Sequence, residues 1–219
     1  LVATAVGKGS SLSFMNISLL AICVLLGSLI ESLLIHSALI RFVARLPVLR
    51  FFGGATDALL IAFSTGSSSA TLPAAIVVAE RNFGLHKSVS STVLPIGASI
   101  GRDGTAMYVG LLAVFASQAF GLPLELKDYA TIVVATSLVA LGTAPVPSAS
   151  LFMLAAVLST IGIPDSSTAI IVALILPFDS VLNMVRTVPN ATCNLAVAVT
   201  TARFENAIDE QVFAHPPRL

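Results

Sequence analysis

The 219 residues are 56% hydrophobic and only 10% charged, where soluble domains carry roughly a quarter charged side chains, and the mean hydropathy is +0.98. Eleven basic and 11 acidic residues cancel, which removes the charge imbalance that a nucleic-acid or polyanion partner calls for. Two cysteines, Cys23 and Cys193, sit in apolar runs; they are too few for a disulfide framework or a cysteine-built metal site and read as ordinary buried thiols. The composition is that of a membrane protein in contact with the lipid bilayer, and the apolar segments that follow read as an all-α, multi-pass integral membrane fold.

Residues 1–12 are small and polar, with Lys8, and read as a connecting segment; the chain opens on Leu1 without a basic-then-apolar signal, which suits part of a longer protein. Residues 13–46 are an apolar run sufficient for a tilted spanning helix of about 20 to 25 residues, interrupted by Glu31 and then His36. Glu31 is expected to face a polar groove and find a hydrogen-bonding partner there; carrying a proton is the alternative. Within residues 54–120, the apolar stretch 55–79 is cut by STGSSSATLP (64–73). Each arm is then roughly 10 residues, or about 15 Å of helix, half the hydrocarbon thickness. Such a segment enters and returns on one side as a re-entrant hairpin, and Ser67, Ser68 and Ser69 at its tip are ligand donors, because non-helical backbone at that depth lines a wet cavity or is buried in protein.

Residues 89–120 are long enough to span, but PIGASIGRDGT (95–105) places a proline, glycines and the Arg102–Asp103 pair inside them, so an unwound helix centre is predicted. After the polar LPLELKD loop, the unit 127–203 repeats the pattern. Residues 129–161 are split by GTAPVPSAS (142–150) into a second hairpin, and residues 168–201 span with a break at Arg186, Pro189 and Asn190. Residues 204–219 are charged, carry two prolines and read as an exposed tail. The order is hairpin, broken helix, hairpin, broken helix. Paired interrupted segments in two halves mark a transporter's binding site at an internal repeat interface, and two hairpins that each return to their own side enter from opposite faces. Arg41, Arg45, Arg50, Arg81, Lys87, Arg203 and Arg218 fall on one side and Lys8 and Lys127 on the other, which makes the first side, with the tail, cytoplasmic.

The stretch LPFDSVLNMVRTVPNATCNL (176–195) is the chemical centre, with Asp179 and Arg186 inside an apolar segment. An intramembrane ionisable residue points to a ligand or ion site, and the planar fork of Arg186 suits a carboxylate. The alternative is that Arg186 merely pairs with Asp179, two turns earlier on the same helical face; Asp179 itself reads as a structural partner.

With SSSATLP (67–73), DGTAMY (103–108), GTAPVP (142–147) and Arg186–Thr187 with Asn190 in order along the chain, the sequence resembles the dicarboxylate/amino acid:cation symporters, the glutamate transporter family. The resemblance begins near that family's sixth transmembrane helix and runs to its last, leaving out most of its trimerising scaffold. It implies a symporter of small carboxylates working by alternating access, assembled as a homotrimer in a plasma or inner membrane, with no enzymatic activity and no cofactor beyond a coupling sodium ion or proton. It further implies that Arg186, helped by Thr105, binds a side-chain carboxylate. Ser68, Ser69 and the Val146 backbone close over the substrate, while Thr187 and Asn190 meet its other polar end. Asp103, Asn190, Asn194 and Gly142 stand at sodium-binding positions.

The chain departs from the family at four places. The aspartate that holds a substrate ammonium is Asn183, and an amide recovers much less energy from an ammonium than a carboxylate does, which favours dicarboxylates without an amine. The asparagine and methionine before Asp-Gly-Thr are Gly101 and Arg102, and a sodium-binding aspartate is Asn194. We therefore expect Arg102 to pair with Asp103 in place of a cation, weakening sodium coupling and opening proton coupling through Glu31, Asp103 or Asp179; the alternative is that Arg102 points to a membrane face and sodium is retained near Gly142. Pro145, Ser148 and Ser150, where relatives carry glycines, predict a stiff second tip. Other classes weighed are an anion-conducting channel, a non-transporting binding protein of the same fold, and an intramembrane hydrolase using the Ser67 cluster, for which His36, His86 and His215 are poorly placed as bases.

Overall fold

A computed structural model describes residues 11–144, 146 and 148–214, with side chains from residue 15 onward. The connecting segment before residue 11, the end of the tail with His215 and Arg218, and the expectations for Pro145 and for Pro147 in the second tip lie outside the described residues. No strand occurs among the described residues; a single bridge joins Leu85 and Ile208.

The first helix, α1 (Ser11–Ile30), continues into two π-helical turns, Glu31–His36 and Leu39–Ala44, and Arg45 ends them in the left-handed conformation at φ 57°. The wider π turns fall where the sequence has Glu31 and His36, which matches the tendency of such bulges to mark functional sites. The first hairpin is α2 (Val48–Thr65) and α3 (Ser68–Arg81), joined at Gly66 and Ser67. Next come α4 (Lys87–Ile100) and α5 (Asp103–Ala119), separated only by Gly101 and Arg102, so the predicted unwound centre is present. A second antiparallel pair, α6 (Leu126–Gly142) and α7 (Ala149–Thr160), precedes α8 (Asp165–Phe204), 40 residues long, and a short α9 (Glu210–Ala214).

Two expectations fail. The arms of the first hairpin are longer than the sequence suggests: α2 starts at Val48, before the expected start at 55, and its 18 residues extend about 27 Å, because residues 48–54 pack as part of the helix. Phe51 is fully buried and stacks on Phe83 with ring centroids 5.3 Å apart. The last helix is also not broken at Arg186. Pro177 and Pro189 each delete one backbone donor, yet α8 stays helical through both, because its flanks are packed by the two hairpins and by α5.

The core is double. One cluster, with Phe51, Ala58, Val78, Phe83, Leu195 and Val199, binds the first hairpin to the C-terminal part of α8. The other, with Val24, Leu112, Leu154, Ile171, Ile175 and Leu182, binds α1, α5 and the second pair to its N-terminal part. α8 is the shared strut, and the polar residues between 183 and 194 lie where one core gives way to the other.

Among the described residues, three stretches are long and apolar enough to cross a bilayer: Met15–Ala44, Val48–Thr65 and Asp165–Phe204. Their outward apolar side chains, among them Leu25, Leu34, Phe42, Leu60 and Ile170, are exposed, as lipid contact requires. This is an integral membrane protein.

Phe213 of α9 packs on Phe83, 5.5 Å between centroids, and is buried. Phe213→Ala is expected to destabilise the first-hairpin core by about 3 kcal/mol, read as a lowered melting temperature of the detergent-solubilised protein.

Candidate functional site

Arg186 lies on α8, 2% exposed. Its Nη1 donates to Thr105 Oγ1 at 3.0 Å and its Nη2 to Asn183 Oδ1 at 2.6 Å, and its guanidinium carbon stands 4.9 Å from the centre of the Tyr108 ring. No carboxylate lies within ion-pair distance of it among the described residues, and its Nε is buried without a partner. The pairing of Arg186 with Asp179 therefore does not occur. Asp179 Oδ1 instead accepts the Tyr108 hydroxyl at 2.7 Å, while Oδ2 is buried without a partner; Asp179 is a structural partner of the tyrosine that lies under the guanidinium.

Asn183 serves two elements at once. Its Oδ1 accepts from Arg186, and its Nδ2 donates to the Gly66 carbonyl at 2.8 Å in the first hairpin turn. Gly66 has φ +57°, and a Cβ there would sit 2.2 Å from Asn183 Nδ2, so the turn needs glycine both for its conformation and for this approach. A carboxylate at position 183 would keep the arginine contact and lose the hairpin contact, having no donor.

The start of α5 is closed by α8. Asn190 Oδ1 accepts the Thr105 backbone N–H at 3.3 Å and its Nδ2 donates to Thr105 Oγ1 at 3.1 Å, so a residue 85 positions away satisfies one of the free donors of the first helical turn. Gly104 permits this: a Cβ on it would stand 2.4 Å from the Arg186 carbonyl oxygen. Thr187, predicted to meet substrate, is buried and donates its hydroxyl to the Asn183 carbonyl at 2.6 Å, a bond within its own helix.

Among the described residues, no hydrogen bond joins Ser68, Ser69 or Val146 to Arg186. Ser67 caps α3 by accepting the Ala70 N–H, Ser68 is buried beside Thr71 and Asn194 in a small cavity between α3, α4 and α8, and Ser69 is exposed. Val146 is half exposed at the second tip, and Gly142 is exposed at the end of α6. Ser148 adopts φ 59°, the left-handed conformation for which relatives were expected to supply glycine.

The expected Arg102–Asp103 pair is absent. Successive residues do not face one another, and Asp103 Oδ2 is held by His36 Nε2 at 2.6 Å while its Oδ1 accepts the Gly104 N–H at 2.9 Å. Arg102 does not point to a membrane face either: it is 5% exposed, with Nε and Nη2 lacking partners among the described residues. Nor does Glu31 find the expected partner for both oxygens, since Oε2 is buried and unbonded. Asn194 Oδ1 lies against the helix break, 2.1 Å from where a Cβ on Gly101 would be.

With this geometry in place, comparison with known proteins is decisive. The sodium:dicarboxylate symporter family model matches residues 1–204. This chain belongs to that family. It is 35% identical to the Caenorhabditis elegans protein glt-4, a putative sodium-dependent excitatory amino acid transporter, over 191 residues, 87% of this chain and 37% of that protein. It is 34% identical to human excitatory amino acid transporter 1 over 80% of the chain and 32% of the relative, and 37% identical to mouse excitatory amino acid transporter 3 over 81% and 33%. The chain thus spans about a third of the length of these relatives. These relatives are transporters, not enzymes.

Sequence reasoning passed over Tyr108 and the pairing of His36. The chain has two tyrosines, and the one inside an apolar segment needs a buried acceptor for its hydroxyl, which is the signal that leads from Tyr108 to Asp179. Nothing in the sequence connects His36 with Asp103, 67 positions away. Tyr108→Phe is expected to leave both Asp179 oxygens unbonded and to cost about 1–3 kcal/mol, measured by thermal unfolding in detergent.

Proposed function

We propose that this chain forms the substrate-carrying part of a secondary active symporter for small dicarboxylates or acidic amino acids, working by alternating access, with Arg186 as the carboxylate-binding residue. The observation that carries this reading is a buried guanidinium whose partners, Thr105, Asn183 and the Tyr108 ring, are all neutral. A buried cation without a counter-charge favours an anion strongly. The N-terminal turn of α5 adds the positive end of a helix dipole beside it, and Arg102 adds a second buried cation.

In the proposed cycle, a carboxylate takes the free Nε edge of Arg186 together with Thr105. Thr187 and Asn190, on the same helix as Arg186, meet the substrate's other polar end, and Ser68, Ser69 and Val146 contact it when the two tips close over it. Asn183 exchanges its Arg186 bond for a neutral hydrogen bond to the substrate. The units 54–120 and 127–203, each a helical hairpin followed by a helix that is interrupted at Gly101–Arg102 in the first unit and continuous as α8 in the second, move as one body, with the segment 13–46 packed on it, against a homotrimeric scaffold outside this chain, in a plasma or inner membrane with the 204–219 tail cytoplasmic.

Coupling in this proposal is weaker in sodium than the family description implies. Sodium needs a cluster of hard oxygens. Here Asp103 is occupied by His36 and Gly104, Asn190 by Thr105, and Asn194 and Gly142 stand on separate elements. Uptake of a labelled four-carbon dicarboxylate into proteoliposomes is expected to persist when sodium is replaced by choline, and complete loss would show a working sodium site.

Substrate choice has a separate test. Asn183→Asp supplies a carboxylate for an ammonium, so competition by aspartate should strengthen at least tenfold relative to succinate, while Arg186→Ala should abolish binding of both in a thermal-shift assay.

A further inference from the structure

Three potential metal ligands converge beside the helix break. His36 comes from the first π-helical turn, Asp103 from the first residue of α5 and Cys193 from α8, and their ligand atoms all lie within 4.8 Å of one another. His36 is 3% exposed and Cys193 and Asp103 are half-buried. Glu31, one turn before His36, is within electrostatic reach of both Asp103 and Cys193, and its Oε2 is buried without a hydrogen-bond partner. Nδ1 of His36 is likewise buried and unbonded.

We propose that His36, Asp103 and Cys193 form a site for a borderline divalent transition-metal ion of the Zn2+ type, with a water in the fourth position. One imidazole nitrogen, one carboxylate oxygen and one thiolate match the preferences of such an ion; sodium, a hard cation that takes oxygen ligands, gains nothing from the sulfur. Charge supports the assignment: a carboxylate and a thiolate neutralise a divalent cation, so the loaded site carries no net charge at membrane depth. The 2.6 Å contact between His36 Nε2 and Asp103 Oδ2 is a hydrogen bond, shorter than the separation of two ligands around one metal. Loading therefore puts the ion where the shared proton lies: Nε2 and Oδ2 move apart by about 1 Å to meet metal–ligand distances of about 2.0 Å, the ring proton is carried on Nδ1, and Cys193 releases its thiol proton to solvent as the thiolate binds. The ion would tie the π-helical segment, α5 and α8 at one point. This inference does not depend on the substrate reading.

The test uses the full-length protein in detergent, stripped with a chelator. Titration with Co2+ should give one equivalent bound, with a near-ultraviolet sulfur-to-cobalt charge-transfer band that Zn2+ removes and a large excess of Na+ does not. Cys193→Ser should lose that band, and His36→Gln should weaken Zn2+ binding at least tenfold in calorimetry, both variants remaining monodisperse. Zinc-edge X-ray absorption on the unmutated protein supplies a measurement free of folding effects: one sulfur at about 2.3 Å is expected. A shell of nitrogen and oxygen alone, Zn2+ affinity unchanged in Cys193→Ser, or no binding at all overturns the proposal.

Discussion

Keeping Arg186 charged and buried is the constraint on which the arrangement depends. Removing a guanidinium from water costs several kcal/mol even after relaxation. That cost is offset by hydrogen bonds from a charged donor, about 1.5–3 kcal/mol each, and by the Tyr108 face, about 2 kcal/mol when desolvated. Two of those partners, Thr105 and Tyr108, come from α5, and the third, Asn183, ties α8 to the first hairpin. Thr105 fixes the start of α5, Asn183 reaches the Gly66 turn of the first hairpin, and Tyr108 is itself anchored by Asp179. The cation is thus solvated by the same side chains that align these elements, and a ligand that takes over part of this solvation necessarily alters how they are held.

The double core explains how such a polar cluster is tolerated. α8 has apolar neighbours on both flanks, with Ile171 and Ile175 in one cluster and Leu195 and Val199 in the other. The polar segment between them is enclosed without either core being interrupted. The same packing holds the helix through Pro177 and Pro189. A proline costs about 3 kcal/mol in a helix interior, an amount that the buried apolar length on either side exceeds. What the prolines do is lower the number of backbone bonds in the segment that carries Asn183, Arg186 and Asn190, without breaking it.

These points separate what was legible in the sequence from what was not. Glycine and proline placed the two antiparallel pairs and the break at Gly101–Arg102, because they act locally through backbone conformation. Arg186, Thr105 and Asn190 were found as a group, because motifs in order identify positions that meet. Boundaries failed where tertiary burial overrode local composition, as at Val48 and Phe51. Partner assignments failed where the decision lay between a sequence neighbour and a distant residue. Arg102 and Asp103 are adjacent in the chain and point apart, whereas His36 arrives from a π-helical turn whose wider register no apolar period encodes.

The consequence is sharpest at Asp103. A carboxylate at membrane depth must meet a cation or a donor, and in this chain the imidazole of His36 and the Gly104 amide supply what a metal ion otherwise supplies. An entering sodium ion has to displace a short hydrogen bond while Arg102, next in sequence and without an ion-pair partner among the described residues, stands as a buried positive charge, and the amide of Asn194 offers it no charge in return. A divalent ion faces a different balance, since Cys193 adds a second anionic ligand and the imidazole becomes a ligand rather than a competitor. For the proposed divalent site, imidazole, carboxylate and thiolate together offer a borderline ion its preferred ligands, where a sodium ion, which takes hard oxygens, gains nothing from the sulfur.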